Sequence, residues 1–186
     1  MRTGVWVGLL VVAVLLAAWY LSFSASRLDR LHHRVEGSRA TLDAQLVRRA
    51  EAAIELATSG LLDPASGLLV AGAAADALAA GEHEAPGDGD DAVERESAES
   101  DLSHALRVAI GQLDTSNLSG LDTEVLDRLA TAAHRAQLAR RFHNQAVMDA
   151  QRVRRKRVVR WAHLAGRAAM PQTFEIDDEL PAVLAR

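Results

Sequence analysis

A run of eighteen uncharged, mostly apolar residues begins at Gly4. As a helix this run would rise about 27 Å, which is close to the roughly 30 Å hydrocarbon thickness of a bilayer. Trp19 and Tyr20 stand near its end, where amphipathic rings favour the headgroup level. The pattern predicts a transmembrane helix over residues 4–22, preceded by a short tail of residues 1–3.

A cleaved secretory signal is the competing interpretation of the same run. The apolar core of a signal peptide is usually only about 7–15 residues long and ends in a small-x-small cleavage site. The run in this chain is longer, and Phe23 interrupts the small residues that follow it. We therefore expect a retained, single-pass anchor.

The charges on either side of the anchor predict its orientation. Arg2 precedes the run, whereas arginines stand at positions 27, 30, 34 and 39 after it. Because the arginine-rich flank stays in the cytoplasm, we expect the amino terminus outside the cell membrane and the rest of the chain in the cytoplasm.

Periodic apolar positions predict that the first helix continues well beyond the anchor. Leu28, Leu31, Val35, Leu42 and Leu46 recur at spacings typical of one helix face, and we expect this helix to continue to about residue 59. Gly60 then supplies a stop. The pair Asp63-Pro64 predicts the start of a second helix, with a capping carboxylate before proline at the first helical position. We expect that helix to run through Leu68, Leu69, Ala75, Leu78 and Ala79.

Two further helices follow in the second half of the chain. The third is expected over residues 93–113, with Leu102, Leu106, Ala109 and Leu113 on one face. The fourth, over residues 121–160, has the most regular pattern, in which small or apolar residues alternate in steps of four and three. This heptad seam predicts a coiled-coil or bundle face formed by Val125, Leu129, Ala132, Ala136, Ala139, His143, Ala146, Ala150 and Val153.

Composition completes the predicted domain organisation. Aromatic residues make up only 4 % of the chain, and an alanine- and leucine-rich core favours helices over strands. We therefore predict an all-α fold, in which an N-terminal transmembrane helix continues into an antiparallel bundle of about four long helices over residues 23–170. Acids, glycine and proline predict a flexible loop over residues 81–92, and residues 171–186 are expected to form an acidic tail.

Four segments of the chain form a pattern that can be compared with known families. They are Leu42-Asp43-Ala44-Gln45-Leu46-Val47-Arg48-Arg49-Ala50-Glu51, Ala98-Glu99-Ser100-Asp101-Leu102-Ser103-His104-Ala105-Leu106, Leu138-Ala139-Arg140-Arg141-Phe142-His143-Asn144-Gln145-Ala146-Val147 and Thr173-Phe174-Glu175. Together they resemble the LemA family, and the chain is similar to a divergent member of it. Positions where the family has proline-asparagine and tyrosine-asparagine pairs carry Ile54-Glu55 and Ala150-Gln151 here. The resemblance implies a membrane-anchored antiparallel helical bundle.

The chain lacks the residue patterns of common metal and cofactor sites. It has no cysteine, which excludes disulfides, thiolate metal sites, iron–sulfur clusters and cysteine nucleophiles. None of its histidines forms a zinc or di-iron motif. His83 beside Glu82 and Glu84 could chelate a metal weakly, but a solvated acidic loop is the favoured interpretation. We therefore predict no metal site and no cofactor.

His143 occupies a seam position that is otherwise filled by small apolar residues. The favoured interpretation is a packed histidine whose ring nitrogens find partners within the bundle. The alternative is a pH-sensitive element in the core, because histidine titrates near neutrality.

A basic run near the end of the fourth helix is the strongest electrostatic feature of the chain. Nucleic acid is not expected as a partner, since no stacking aromatics are interleaved with the cations. In an up-down-up-down bundle the fourth helix returns towards the bilayer, where its basic end would meet anionic headgroups. Simple capping of the helix C-terminus by cations is the alternative. The run comprises Arg152, Arg154, Arg155, Lys156, Arg157 and Arg160.

These features predict a membrane-anchored scaffold or interaction module without catalysis, with other membrane proteins as possible partners. The alternative is an accessory sensor or regulator whose bundle responds to a ligand or to pH. No nucleophile, base and orienting group stand at a useful spacing, so we do not expect an enzyme.

Overall fold

A computed structural model describes residues 2–83, 89–113, 118–156, 169–179, 181 and 184. The described residues form four helices and no strand, which confirms the predicted all-helical class for this part of the chain. Helix α1 spans 57 residues, about 85 Å at the usual rise per residue. The bounds are α1 Arg2–Thr58, α2 Pro64–His83, α3 Gly89–Gly111 and α4 Gly120–Arg154.

The chain divides into two compact units, and the division into anchor, bundle and tail stays a prediction. The first unit comprises Met1–Gly37 and Asn144–Thr173, and the second comprises Ser38–His143 and Phe174–Arg186. Both therefore contain parts of α1 and α4.

Helices α1 and α4 run antiparallel within the second unit. Ser38 near the start of the α1 portion contacts His143, whereas Glu55 near its end contacts Arg128. Helices α1 and α3 run in the same direction. Asp43 of α1 pairs with Arg95 of α3, and Arg49, six residues later in α1, pairs with Glu99, four residues later in α3. These pairings agree with an up-and-down bundle.

All four helices contribute to one apolar core in the second unit. Its most buried members come from all four helices and are Ala53, Leu56, Val70, Ala74, Leu102, Ile110 and Leu129. Leu184 from the C-terminal segment also belongs to this core. The seam predicted on α4 is largely buried, with seven of its nine positions fully so. Leu126, Ala133 and Val147 are buried beside it. The buried face is thus wider than a coiled-coil seam and suits a helix packed against several neighbours.

The end of α1 and the start of α2 have the stop and the cap that the sequence predicts. Oδ1 of Asp63 accepts hydrogen bonds from the amides of Ala65 and Ser66, so the predicted capping carboxylate begins α2. A hydrogen bond from the side chain of Ser66, followed by that from its amide, lowers the pKa of Asp63. Gly60 has φ of 85°, the left-handed conformation that glycine adopts after a helix end.

The predicted flexible loop over residues 81–92 is wrong at both of its ends. Helix α2 continues to His83, and α3 begins at Gly89 rather than at residue 93. Asp90 and Asp91 lie in the first turn of α3, where carboxylates are favoured by the helix dipole. The acids that indicated a loop thus form a helix start, and residues 84–88 lie outside the described residues.

The buried side of α2 does not include the first two leucines of the helix. Leu68 and Leu69 are 75 % and 50 % exposed, whereas Val70, Ala74 and Ala77 face the core. Helix α2 is apolar on more than one side, so the apolar spacing could not identify the side that is buried.

The predicted acidic tail packs against the second unit. Phe174 is only 1 % exposed and joins a cluster with Leu42 and Leu46 of α1 and with two alanines of α4. The guanidinium of Arg39 lies over its ring, 4.8 Å from the centroid. The described residues from 174 onwards are therefore part of the fold, because an aromatic anchor and several ion pairs hold them.

Candidate membrane-surface site

The first part of α1, residues 6–23, exposes large apolar side chains on every side, and we call it the apolar half of α1. Trp6, Leu10, Leu15 and Trp19 are each at least 63 % exposed, although they point in different directions around the helix. A continuous apolar surface of this kind is unusual on a soluble monomer and marks a site that another apolar phase or partner covers. The further exposed members are Val7, Leu9, Val11, Val12, Val14, Leu16, Tyr20 and Phe23.

Length and hydropathy single out a different stretch as a possible membrane span. Among the described residues, Pro64–Glu82 in α2 is long and apolar enough to cross a bilayer, and 28 % of its most apolar stretch is buried. Trp6–Tyr20 in α1 qualifies as a shorter apolar helix. Since α2 packs against α3 and contributes Val70 and Ala74 to the core, α2 also fits the role of a core helix.

The basic run at the end of α4 separates into residues with different surroundings. Arg152, Arg155 and Lys156 are exposed, and we call these three residues the basic end. Arg154 is buried, and its Nη1 donates a hydrogen bond to the carbonyl oxygen of Ala169 at 2.5 Å. Arg154 therefore binds Ala169 and does not face solvent, and its lipid contact stays a prediction. The remaining two, Arg157 and Arg160, lie outside the described residues.

The basic end lies beside the arginine-rich part of α1. In the first unit Val153 packs against Leu28, with Leu31 beside them, and Nη1 of Arg34 lies 3.8 Å from Oδ2 of Asp149. These pairs show that the two helices are antiparallel here. Residues after Val153 thus lie towards the apolar half of α1.

The distance from the basic end to the aromatic residues of α1 is short. Leu28 follows Phe23 by about 7.5 Å and Tyr20 by about 12 Å along the helix. The Debye length at physiological ionic strength is about 8 Å. Arg27 and Arg30 are also exposed on the same part of α1. The level of Leu28 on α1 therefore lies within about one Debye length of Phe23, and Tyr20 lies farther away.

His143 is buried, as its seam position predicted, and has a partner within the bundle. Its Nδ1 lies 3.1 Å from Oγ of Ser38 on α1. The side chain is 3 % exposed. The pH-sensitive role of His143 stays a prediction.

Sequence reasoning missed a buried polar network in the second unit. Nη2 of Arg49 lies 2.5 Å from Oε2 of Glu99, and Nη1 of Arg49 donates to Oγ of Ser103 at 3.0 Å. Beside them, Nη1 of Arg95 lies 3.0 Å from Oδ1 of Asp43. Burial raises the pKa of Glu99, and the neighbouring Arg49 opposes this shift.

The sequence spacing between these charged residues and the core residues of α1 and α3 is a signal for this network. Arg49 follows Leu46 by three residues and precedes Ala53 by four, so it occupies a seam position of α1. Arg95 and Glu99 precede Leu102 at the same kind of spacing in α3. Charges of opposite sign at seam positions of two helices predict a buried ion pair, because isolated charges are too costly to bury.

The described residues contain no group of three or more histidine, aspartate or glutamate side chains placed to hold a metal ion. His83, the residue weighed as a weak ligand, has a side chain outside the described set. No family model matches the sequence, and neither a curated protein nor a solved structure is detectably similar to it.

Proposed function

We propose that this chain is a single-pass membrane protein whose helical bundle acts as a non-catalytic scaffold at the cytoplasmic surface. The observation that carries the proposal is the apolar half of α1, which exposes large side chains on all sides over Trp6–Tyr20. A bilayer would remove this apolar surface from water, and exposure of the surface to water is unfavourable. The resemblance to the LemA family agrees with this arrangement and stays a prediction.

Contact of the basic end with anionic headgroups would fix the orientation of the scaffold. Each lysine or arginine near an anionic leaflet contributes about 1 kcal/mol. The basic end and the exposed Arg27 and Arg30 together supply five such cations. The packing of Val153 on Leu28 supports this role, because it holds the end of α4 beside the stretch of α1 that carries Arg27 and Arg30.

A single cysteine reports this contact directly, because the chain has none of its own. The full-length Lys156→Cys variant is labelled with a fluorophore and reconstituted into vesicles that contain headgroup-spin-labelled lipid. We expect stronger quenching in vesicles with anionic lipid than in neutral ones, and a loss of that difference when Arg152 and Arg155 are both changed to Gln. Leu121→Cys, at a site 75 % exposed on α4, is the control. Equal quenching at positions 156 and 121 in all vesicles would contradict headgroup contact.

The alternative is a regulator that responds to pH, and the burial of His143 against Ser38 is the observation in its favour. The charged residues nearest to this contact in sequence are Glu36 and Arg39 on α1 and Arg140 and Arg141 on α4. Arg39 and Arg140 pair with carboxylates of other residues, Asp43 and Asp178. Thermal unfolding of wild type and His143→Ala at pH 5.5 and 7.5 tests this function. Parallel pH profiles of the two proteins would rule it out.

A further inference from the structure

Helices α2 and α3 enclose a groove on the surface of the second unit. It has a volume of about 500 Å³ and is open to solvent along its length. Leu68, Leu69 and Gly72 from α2 and Ala98 from α3 form its apolar part. We call it the acidic groove, because its charged lining residues are Asp76, Glu94 and Asp101.

The exposed side of α2 has the spacing of a helix-packing seam. Ala65, Leu68, Gly72, Ala75 and Ala79 follow one another in steps of three and four, and all five are exposed. This seam is distinct from the buried stripe of the same helix. Small residues within it allow another helix to approach closely, and a Cβ added at Gly72 would meet no atom within 4 Å. The seam shares Leu68 and Gly72 with the acidic groove.

The charges around the acidic groove are all of one sign. Asp76, Glu94 and Asp101 are exposed, no arginine or lysine lines the groove, and none of the three carboxylates takes part in an ion pair among the described residues. Two other exposed or half-buried carboxylates of the second unit, Asp177 and Asp178, each pair with an arginine.

A second groove, between α1 and α4, shows that this one-sided charge is not general. It has a similar volume of about 480 Å³, but its lining contains three arginines as well as four carboxylates. Arg128 in that groove pairs with both Glu55 and Glu124. Three of its charges are thus paired within the chain, whereas the carboxylates of the acidic groove have no cation beside them in its lining.

We propose that the acidic groove is a docking surface for a cationic amphipathic helix of a partner protein. The partner would place apolar side chains over Leu68 and Gly72 and its lysines or arginines beside the carboxylates. A second copy of this chain docked through the same groove would bring like charges together, and an anionic leaflet would be repelled. This inference gives the scaffold a partner of defined chemistry, and it rests on the proposed function.

The test uses the full chain in neutral detergent and a synthetic 18-residue helical peptide as the probe. One face of the peptide carries leucine and alanine at heptad spacing, and lysines flank that face. A second peptide has glutamate in place of every lysine. Binding is followed by fluorescence anisotropy at two salt concentrations. We expect the lysine peptide to bind at least tenfold more tightly than the glutamate peptide, with an affinity that falls as salt rises.

Three variants probe the groove without reaching the core. Leu68→Gln removes apolar contact, Gly72→Leu fills the open space, and the triple variant Asp76→Asn/Glu94→Gln/Asp101→Asn removes the charge. Each should raise the dissociation constant of the lysine peptide at least tenfold, and the triple variant should also lose the salt dependence. The matched controls are Leu121→Gln, at a site with the same 75 % exposure as Leu68, and Glu51→Gln/Glu124→Gln/Asp127→Asn in the α1–α4 groove.

Several results would overturn the proposal. Equal binding of both peptides, no binding of the lysine peptide, or equal losses in the control variants would each do so. Self-association that Leu68→Gln abolishes, without peptide binding, would assign the groove to a second copy. Release of the full chain from membranes by Leu68→Gln would assign α2 to the bilayer. Because the peptide test is made in detergent, its failure is independent of membrane anchoring.

Discussion

Nη2 of Arg49 and Oε2 of Glu99 lie 2.5 Å apart in the interior of the second unit, where the two side chains are 4 % and 2 % exposed. The pair joins α1 to α3 at seam positions where the neighbouring residues are Leu46, Ala53 and Leu102. A buried pair of this kind specifies which helix faces meet, but a charge left without its partner is strongly destabilising.

Breaking this pair on one side should therefore cost more than replacing both partners. We expect Arg49→Met to lower the free energy of unfolding by about 3–5 kcal/mol, because Glu99 would stay buried without its partner. The double variant Arg49→Met/Glu99→Leu should be more stable than Arg49→Met alone. Thermal and denaturant unfolding of the full chain in detergent, followed by circular dichroism, measures all three proteins. A double variant less stable than Arg49→Met would contradict the assignment of a buried charge pair.

The pH dependence of stability should carry the signature of Glu99. Burial raises its pKa above the ordinary value of 4.5, so the folded state holds this proton more tightly than the unfolded chain. The resulting stability is fully present below about pH 4.5 and is lost as pH rises through the folded-state pKa. Glu99→Gln cannot lose this proton. The stability of Glu99→Gln relative to wild type should therefore increase as the pH is raised from 4 to 7, and a constant difference would refute the raised pKa.

Asp177 should show the opposite pH dependence. Its carboxylate accepts two hydrogen bonds from the guanidinium of Arg107, and these lower its pKa. Its contribution to stability is present above its ordinary pKa of 3.8 and is lost as pH falls through the lower folded-state pKa. Because Asp177 is 46 % exposed, solvent screens the pair, and we expect Asp177→Asn to cost no more than about 1 kcal/mol at pH 7. A cost that persists undiminished at pH 2 would show that the ion pair is not its cause.

Phe174 should be the main apolar anchor of the C-terminal segment. We expect Phe174→Ala to lower the free energy of unfolding by about 3–5 kcal/mol, since the side chain is 1 % exposed and packs on Leu42 and Leu46. The same change at Phe142, which is 67 % exposed, should alter stability by no more than about 0.5 kcal/mol. Limited proteolysis after residue 170 should accelerate in Phe174→Ala only. Equal effects of the two substitutions would be inconsistent with the docked segment.

Features set by local chemistry were predictable from the sequence. The cap at Asp63, the stop at Gly60 and the seam of α4 each depend on residues within a few turns of one helix, and the structure confirms them. The end of α4 was placed about six residues too late, since the helix ends at Arg154. Its continuous run of helix-favouring residues gave no local stop signal before that point.

Features set by tertiary packing were not predictable in the same way. Helix α2 is apolar on more than one side, and only its packing on α3 decides that Leu68 and Leu69 are exposed while Val70 is buried. The acidic C-terminal segment was expected to be a solvated tail. Its docking depends on Arg107 and Arg140, which lie far away in the sequence.

Membrane anchoring through α1 is the central claim, and alkaline carbonate extraction of membranes that contain the full chain tests it most directly. We predict that wild type stays in the membrane pellet and that Leu10→Arg/Leu15→Arg, which places two charges in the apolar half of α1, moves to the supernatant. Leu68→Arg, on the apolar helix α2, and Leu121→Arg, at an equally exposed site of α4, should both stay in the pellet. Extraction of wild type, or release by Leu68→Arg but not by Leu10→Arg/Leu15→Arg, would contradict the account.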